Sequence, residues 1–461
     1  MLNYADLILS FDNVQQYAVK SITPLAAYWL PLIPIVIFFI SYINRRCAET
    51  RPKGCRKLGL PHNKTNLHDE YDRKYRQGVP EKHTDEKGHP SWRVKALFAY
   101  PIKSCAGIEL DTADVVLTGL AYDRQFCFAE YITPKPNAGN ASSQQPHWTA
   151  RTLRDGELCK MALIRPEVWV PDPTANDYSA ELDEVESQGV IVIYYPRVAG
   201  TGFCSFIVRM GMTLGLMSKE LSFRIPIIPP KNTISTYPST PVKIWKDSPV
   251  AYDYGQHLPA SLRRFLDPKG KRGPLTLFKV NPAHHREILR NAPRKQDIGF
   301  QTVTGFADAY PLHLLNLASV QEVASKCKTD IPELSIRRFR ANIIVQGPAA
   351  FEEDQWKRIR VCSSDGEDES VEIYASCRTI RCRLPNVDPD TGFRHPAEPD
   401  RTLKRYRRVD PGDLTNAALG LQLVPAVQEF RIRVGDSVEV LETGEHCYIK
   451  MLKPGEKVEG V

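Results

Sequence analysis

A single cysteine, Cys382, lies between two arginines and is followed by a run of turn-forming residues. The stretch is RCRLPNVDPDTG, from Arg381 to Gly392. Flanking cations favour the ionised sulfur. Pro389 presets the backbone of the turn, and Gly392 is free to take a positive φ. The residues alone leave two interpretations open: a thiolate held for chemistry ahead of a rigid turn, or a small apolar side chain under a surface loop.

Three upstream blocks supply cations and polar groups. YPIKSC places Lys103 and Ser104 at the end of a predicted strand, GLAYDRQF places Arg124 after a turn, and RRFRANIIV places Arg340 before a buried strand. Taken singly, Lys103 and Arg124 are explained as solvated charges at strand edges, and Arg340 as part of a structural ion pair. Each block alone is therefore weak evidence for chemistry.

Composition limits the classes of protein that the chain can belong to. Its 461 residues suffice for two domains, and its 36 prolines outnumber its 27 glycines, which favours strands and turns over long helices. The net charge of +7 is mild, and no basic stripe with interleaved aromatic residues is present, so we expect no nucleic-acid partner. Eleven scattered cysteines without a CxxC pair indicate reduced thiols. We predict a mainly β fold with some helix (α+β), divided near residue 300 where helical spacing begins.

The N-terminal region has a different character. After a short tail (residues 1–20), residues 21–44 carry no charge and are long enough for a transmembrane anchor, which needs about 20 residues; the alternative is a buried core helix. A basic cluster follows, so the positive-inside rule places the bulk of the chain in the cytosol. Residues 45–90 are polar and charged, and they are predicted to form a tether.

The blocks together resemble a known family. YPIKSC and GLAYDR are similar to the N-terminal β-barrel domain that precedes MOSC domains, and FRANIIV with RCRLPNVDPDTG is similar to the MOSC domain itself. The nearest group is the mitochondrial amidoxime-reducing component family, and the resemblance covers about Trp92 to Leu441. It implies a MOSC N-terminal β-barrel domain (91–300) packed on a MOSC β-barrel domain (301–445), with a C-terminal tail (446–461).

The resemblance also implies a molybdenum cofactor and the residues that bind it. Cys382 corresponds to the metal ligand and catalytic residue. The cofactor-binding residues by correspondence are Lys103, Ser104, Arg124, Asp308, Tyr310, Arg340, Asn342 and Arg381. Three positions depart from the family pattern: Ile380 replaces a frequent serine, Tyr310 replaces a smaller serine, and Gln422 replaces a frequent tyrosine.

The implied activity is reduction of small N-hydroxylated compounds. The chain has no dinucleotide fingerprint, haem motif or iron–sulfur cysteine set, so electrons must come from outside. In the family they come from cytochrome b5 and NADH-cytochrome b5 reductase, at the mitochondrial outer membrane with the catalytic domains facing the cytosol. There are two alternatives. A sulfur-transfer MOSC protein is disfavoured, because it would need a long pyridoxal-phosphate domain, for which the first 90 residues leave no room. A cofactor carrier, which would show no turnover, stays open.

Overall fold

The structure is a computed structural model that describes residues 32, 34–38, 51–134, 145–200, 203–364 and 370–450. The chain forms two compact units. Unit 1 comprises Met1–Arg51 and Pro196–Ser222, and unit 2 comprises Pro52–Tyr195 and Phe223–Val461. In unit 1 the described residues include the helix Phe203–Thr213, and residues 32 and 34–38 are also helical. All the predicted site residues belong to unit 2.

Short strands dominate the chain, as the sequence predicts. In chain order they are β1 (Cys55–Lys57), β2 (Arg93–Ala99), β3 (Ile108–Leu110), β4 (Thr112–Val116), β5 (Gly119–Leu120), β6 (Phe126–Ile132), β7 (His147–Ala150), β8 (Arg165–Pro171), β9 (Val190–Pro196), β10 (Glu220–Pro226), β11 (Ser239–Lys243), β12 (Val250–Asp253), β13 (Leu275–Val280), β14 (Arg286–Glu287), β15 (Val303–Thr304), β16 (Leu312–Asn316), β17 (Ile343–Gln346), β18 (Trp356–Cys362), β19 (Ser370–Ile380), β20 (Ala418–Pro425), β21 (Phe430–Arg433) and β22 (Ser437–Thr443). The fold is therefore mainly β, with short helices between strands.

The helices are few and short in the described part of the chain. They are α1 (Asp183–Glu186), α2 (Phe203–Thr213), α3 (Ala260–Leu266), α4 (Lys295–Ile298), α5 (Leu317–Cys327) and α6 (Asp400–Tyr406). Helix α5, which the spacing of NLASVQEVASKC predicts, begins where the Asn316 side chain accepts a hydrogen bond from Ala318 N. It buries Leu317, Val320 and Val323 in a core shared with residues before β17.

The largest sheet has eight strands in the order β17-β16-β20-β19-β18-β22-β2-β3, and β17 also pairs with β2, so the sheet closes on itself. In β18, Ile359 and Val361 point inward while Arg360 between them forms ion pairs outside. A register shift between Trp356 and Ile359 lets Trp356 point inward as well. The Trp356 ring lies 5.7 Å from the Trp92 ring inside this core. A second, closed five-stranded barrel has the order β11-β12-β13-β6-β7.

The predicted boundary near residue 300 does not separate the two sheets. Strands β2 and β3 come from the N-terminal side of that boundary, yet they hydrogen-bond within the eight-stranded sheet of the C-terminal part. Ile343 lies opposite Leu97 in this register. The reason is that a closed sheet needs a partner for each edge, and β2 pairs with both β17 and β22.

The predicted tether packs on the body over residues 51–90. Strand β1 pairs with β8, and Leu67 is only 6% exposed in the core around α5. The Glu70 carboxylate accepts a hydrogen bond from Ile336 N at 2.9 Å. The tether prediction is corrected here, because ion pairs and hydrogen bonds to the body satisfy this polar segment and one leucine anchors it.

The structure describes little of the predicted N-terminal anchor but part of the predicted C-terminal tail. The predicted tail 1–20 lies outside the described residues, and so does the predicted anchor 21–44 apart from residues 32 and 34–38. Among helices in the described part, none combines the length and apolar character needed to cross a bilayer. Of the predicted C-terminal tail, residues 451–461 are outside the description, whereas His446 is buried and its Nε2 lies 2.8 Å from Trp356 O. The body therefore extends past residue 445.

Candidate cofactor site

One pocket of unit 2, with a volume of about 530 Å³, contains all the predicted site residues in its lining. These residues are Lys103, Ser104, Arg124, Asp308, Tyr310, Arg340, Asn342, Arg381 and Cys382. Most of them lie in loops at strand ends: after β2, before β6, before β16, before β17 and after β19. Blocks that are far apart in sequence thus meet at one place on a rigid β scaffold.

Asp308 is the ionic centre of the pocket. Its carboxylate accepts hydrogen bonds from Lys103 Nζ at 2.5 Å and from Arg154 Nη2 at 2.7 Å. Burial opposes ionisation, but Arg154 and Lys103 outweigh it and hold the pKa of Asp308 well below its ordinary value. Burial lowers the pKa of Lys103, although Asp308 counteracts that shift. Asp308 therefore stays ionised and orients two cations toward the pocket.

Arg154, which sequence reasoning missed, is the cation that contacts the thiol. Its Nε lies 3.0 Å from Cys382 Sγ, and its guanidinium lies 4.9 Å from the centre of the Trp245 ring. Nothing in the local sequence distinguishes this arginine, because its partners Cys382 and Asp308 are 228 and 154 residues away. Only the fold reveals the contact.

Arg383, predicted to favour the thiolate, faces away from it. The side chain is 72% exposed, and its Nε lies 3.5 Å from Asp400. The expectation is wrong for Arg383, because the chain leaves β19 and enters the 3-10 turn Leu384–Asn386 at this residue. Arg381 remains on the pocket, where its Nη2 donates to Phe339 O at 3.1 Å.

Three of the predicted residues adopt a left-handed backbone conformation. The φ angles are 69° at Ser104, 47° at Arg124 and 58° at Arg340. This conformation costs roughly 1–2 kcal/mol for a residue with a Cβ and is usually occupied by glycine. Strain of this kind persists only where the surrounding structure fixes it, and it concentrates at functional sites. The loops that carry the predicted donors are therefore strained.

Tyr100 joins two of these arginines. The Arg340 guanidinium lies 4.2 Å and that of Arg124 5.1 Å from the centre of its ring. Arg124 is further fixed by Asp123 at 2.5 Å and by Asn342 Oδ1 at 3.1 Å. The Asn342 amide donates in turn to Phe98 O. Asn342 thus acts by positioning Arg124, with both of its polar groups already engaged.

Two buried nitrogen atoms test whether this site fits an anionic cofactor. Arg340 Nη2 and Arg381 Nε are buried and have no hydrogen-bond partner among the described residues. Unsatisfied buried donors of this kind are costly unless a ligand accepts from them. Phosphate and pterin oxygens are suitable acceptors for guanidinium groups, and the Cys382 thiol supplies the soft ligand. The residues therefore fit the molybdenum cofactor.

His313 is a second lining residue that sequence reasoning missed. Its Nε2 lies 3.3 Å from Arg381 Nη1. Burial, together with Arg381 and Arg124, holds the pKa of His313 well below its ordinary value, so the imidazole is neutral. Burial also lowers the pKa of Arg381 to about 10. The neutral ring therefore adds no positive charge beside Arg381.

The turn after Cys382 forms as predicted and also positions Arg154. Gly392 has a φ of 66°, and Asp388 Oδ1 accepts from Thr391 N at 2.9 Å. Beyond the turn, the Arg394 guanidinium donates to the carbonyls of Leu153 and Arg154. The turn therefore holds the segment that carries the thiol and the segment that carries its cation in fixed relation.

The three departures from the family pattern also line the pocket. The Tyr310 hydroxyl donates to Arg290 O at 3.1 Å, and Gln422 Nε2 donates to Thr379 Oγ1 at 3.0 Å. Ile380 is the last residue of β19, two positions before the thiol. Tyr310 thus orders a neighbouring loop, while its predicted contact with the cofactor stays a prediction.

Comparison with family models finds two matches. The family model described as MOSC domain matches residues 301–439, and the one described as MOSC N-terminal beta barrel domain matches residues 91–139. These matches confirm the resemblance that the sequence blocks indicate. A solved structure, the YuaD protein of Bacillus subtilis, matches at 14% identity over 34% of this chain and 75% of its own, with a TM-score of 0.19 that is too low to support an argument.

Among named relatives, the chain is similar to mitochondrial amidoxime-reducing component 1 of Danio rerio, with 32% identity over 42% of this chain and 53% of the relative. Component 2 of Rattus norvegicus is 37% identical over 29% of this chain and 37% of its own length. Molybdenum cofactor sulfurase of Oryza sativa is 23% identical over 70% of this chain and 32% of the relative. The chain thus spans about half or less of the length of these relatives.

Proposed function

We propose that this protein is a molybdenum-cofactor-dependent reductase of N-hydroxylated, amidoxime-type compounds. The observation that carries the proposal is the Cys382 thiol, held 3.0 Å from Arg154 in a pocket where the predicted cofactor residues converge. The relatives named amidoxime-reducing components support the reaction class. When bound, the cofactor would supply two electrons, so that N–OH, two electrons and two protons give N–H and water.

The residues of the chain divide this work. Cys382 is the protein ligand to molybdenum, and Arg154 orients and neutralises the sulfur. Arg340, Arg381 and Arg124 are donors to the phosphate and pterin oxygens. Charge-assisted hydrogen bonds of this type contribute about 1.5–3 kcal/mol each. Electrons come from cytochrome b5 and NADH-cytochrome b5 reductase in this proposal, as the family resemblance implies.

Turnover by the purified protein tests the function. Protein loaded with molybdenum cofactor is given benzamidoxime and a chemical reductant, and benzamidine is measured. We expect turnover by the unmodified chain and none by Cys382→Ser, whose thermal unfolding should stay within a few degrees of the parent. Full activity of Cys382→Ser with normal metal content would overturn the assignment.

A second candidate function is a cofactor carrier or a sulfur-transfer MOSC protein. The similarity to molybdenum cofactor sulfurase over 70% of this chain favours it. The same experiment separates the two, because a carrier binds the cofactor stoichiometrically but yields no benzamidine under reducing conditions. Transfer of sulfur to the cofactor would instead be detected as cyanide-labile sulfur.

The location is proposed as the mitochondrial outer membrane, with residues 21–44 as the anchor and the catalytic unit in the cytosol. The uncharged stretch, the basic cluster that follows it and the relatives named mitochondrial support this proposal. Protease added to intact mitochondria should release a catalytic fragment. Protection of that fragment until the membrane is dissolved would show that the orientation is reversed.

A further inference from the structure

The pocket has a strong excess of cations. Eight of its lining residues are lysine or arginine and two are aspartate. One aspartate, Asp308, is shared by Lys103 and Arg154. The other, Asp413, accepts hydrogen bonds from the backbone of Thr415 and from Asn416. The lining itself therefore carries more cations than carboxylates, and carboxylates outside the lining pair with some of these cations.

Most of these cations already have an assigned partner. Arg124 pairs with Asp123, and Arg378 lies 3.5 Å from Asp410. Arg340 and Arg381 have buried donors without a hydrogen-bond partner among the described residues, line the same pocket as Cys382, and are assigned to the cofactor in the proposed function. Arg290 is different, because it has no ion pair with any described residue and its buried Nη1 has no hydrogen-bond partner there. Its guanidinium is thus available to a ligand.

Two tyrosines fix Arg290 in place. Tyr310, whose hydroxyl donates to Arg290 O, holds the backbone of the loop between β14 and α4. The Tyr448 ring lies 5.9 Å from the Arg290 guanidinium. The backbone of Arg290 is tied and its side chain lies near a ring. Binding of an anion therefore costs less side-chain conformational entropy at Arg290 than at a freely moving surface arginine.

Two rings that line the pocket beside Arg290, Tyr310 and Tyr448, provide an apolar wall with a buried apolar cluster behind it. Ile288, Tyr310, Cys377 and Val424 form a buried cluster, and Tyr448 packs against it. An apolar wall next to a single available guanidinium is complementary to an aromatic or alkyl body that carries a carboxylate. Arg290 is not one of the predicted cofactor-binding residues, and Tyr310 is the only member of the apolar cluster that is.

We propose that Arg290 forms an anion subsite that selects N-hydroxylated substrates bearing a carboxylate on an aromatic or alkyl body. This inference rests on the proposed function and specifies its substrate class. Arg290 would bind the carboxylate bidentately, with the rings of Tyr310 and Tyr448 against the body of the substrate, which leaves the N–OH end free to face Cys382.

A binding experiment that needs no turnover tests the subsite directly. Benzoate and the neutral benzamide are titrated by calorimetry into cofactor-loaded protein, into Arg290→Met and into Arg290→Lys. We expect benzoate to bind the unmodified protein about 10-fold more tightly than benzamide or better, since charge-assisted bonds have this size. Arg290→Met should reduce the ratio to less than about 3-fold, and Arg290→Lys should retain part of it. Arg383→Met, a matched removal of an exposed cation outside the pocket lining, should leave the ratio unchanged.

Kinetics then tie the subsite to the reaction. The ratio of kcat/KM for 4-carboxybenzamidoxime to that for benzamidoxime should fall by about 10-fold in Arg290→Met, mainly through KM. An unchanged benzoate preference in Arg290→Met overturns the inference, and so does a fall in its molybdopterin content, which would make Arg290 a cofactor ligand. If neither amidoxime is reduced by loaded protein, the proposed function fails, while the benzoate titration still decides the subsite.

Discussion

Replacing Arg154 with glutamine removes the cation that links Cys382 to Asp308. The two contacts have lengths of 3.0 Å to the sulfur and 2.7 Å to the carboxylate. A charge-assisted hydrogen bond contributes about 1.5–3 kcal/mol, and each 1.4 kcal/mol is about a factor of ten in an equilibrium constant. Lys103 remains to pair with Asp308, so the pocket should persist. We therefore expect the molybdenum content and the rate per loaded site to fall by a combined factor of about 10 to 150.

Two measurements on the same protein separate those effects. The molybdenum content per chain, measured by mass spectrometry, reports retention of the cofactor. Benzamidine formation, divided by that content, reports the rate of the loaded sites.

Arg383→Gln is the matched control, because Arg383 is also a neighbour of Cys382 in sequence but its side chain points to solvent. We expect both of its measured values to stay within about twofold of the parent, since exposed ion pairs contribute little. Equal losses in the Arg154 and Arg383 variants, or full content and rate in Arg154→Gln, would refute the reasoning from geometry.

Three further predictions concern stability. Arg340→Gly should relieve the left-handed strain of about 1 kcal/mol and keep the free energy of unfolding within about 1 kcal/mol of the parent. Its molybdopterin content should fall at least about 10-fold, because a charge-assisted donor is lost. An unchanged molybdopterin content would show that Arg340 does not bind the cofactor. Burial and a neighbouring carboxylate raise the pKa of Glu353 from 4.5 to about 7. The folded state therefore binds the proton more tightly than the unfolded state, so stability falls as the pH rises. The free energy of unfolding of the parent, measured with urea, should fall by at most about 3 kcal/mol between pH 4.5 and pH 7. Glu353→Gln should lack this loss. A fragment that starts at Pro52 should unfold like the full chain. One that starts at His89 should be less stable by at least about 2 kcal/mol, because it loses the buried Leu67 side chain and β1, and equal melting of the two fragments would contradict the packed segment.

The sequence predicts the fold where local patterns and global packing agree. The buried strand after Arg340, which is β17, and the helical spacing of α5 both appear in the structure, because each element buries the residues that its pattern defines. The polar segment before residue 90 was mispredicted as a tether for the opposite reason. Its contacts, such as those of Glu70 with the backbone at Ile336, join residues 266 positions apart and leave no periodic signal.

The site shows the same division between local and distant information. Cys382 and the arginines could be found from sequence, because each belongs to a short block whose order along the chain is distinctive. Arg154 could not, since only the fold brings it to the sulfur. The strained backbone was hidden for another reason: a positive φ is normally signalled by glycine, yet Ser104, Arg124 and Arg340 each place a polar side chain at such a position. Of the eight described non-glycine residues with a positive φ, four line one pocket: Ser104, Arg124, Trp245 and Arg340. The proposed contacts with the cofactor would account for the three polar ones, because each loop conformation directs a polar side chain to the same pocket.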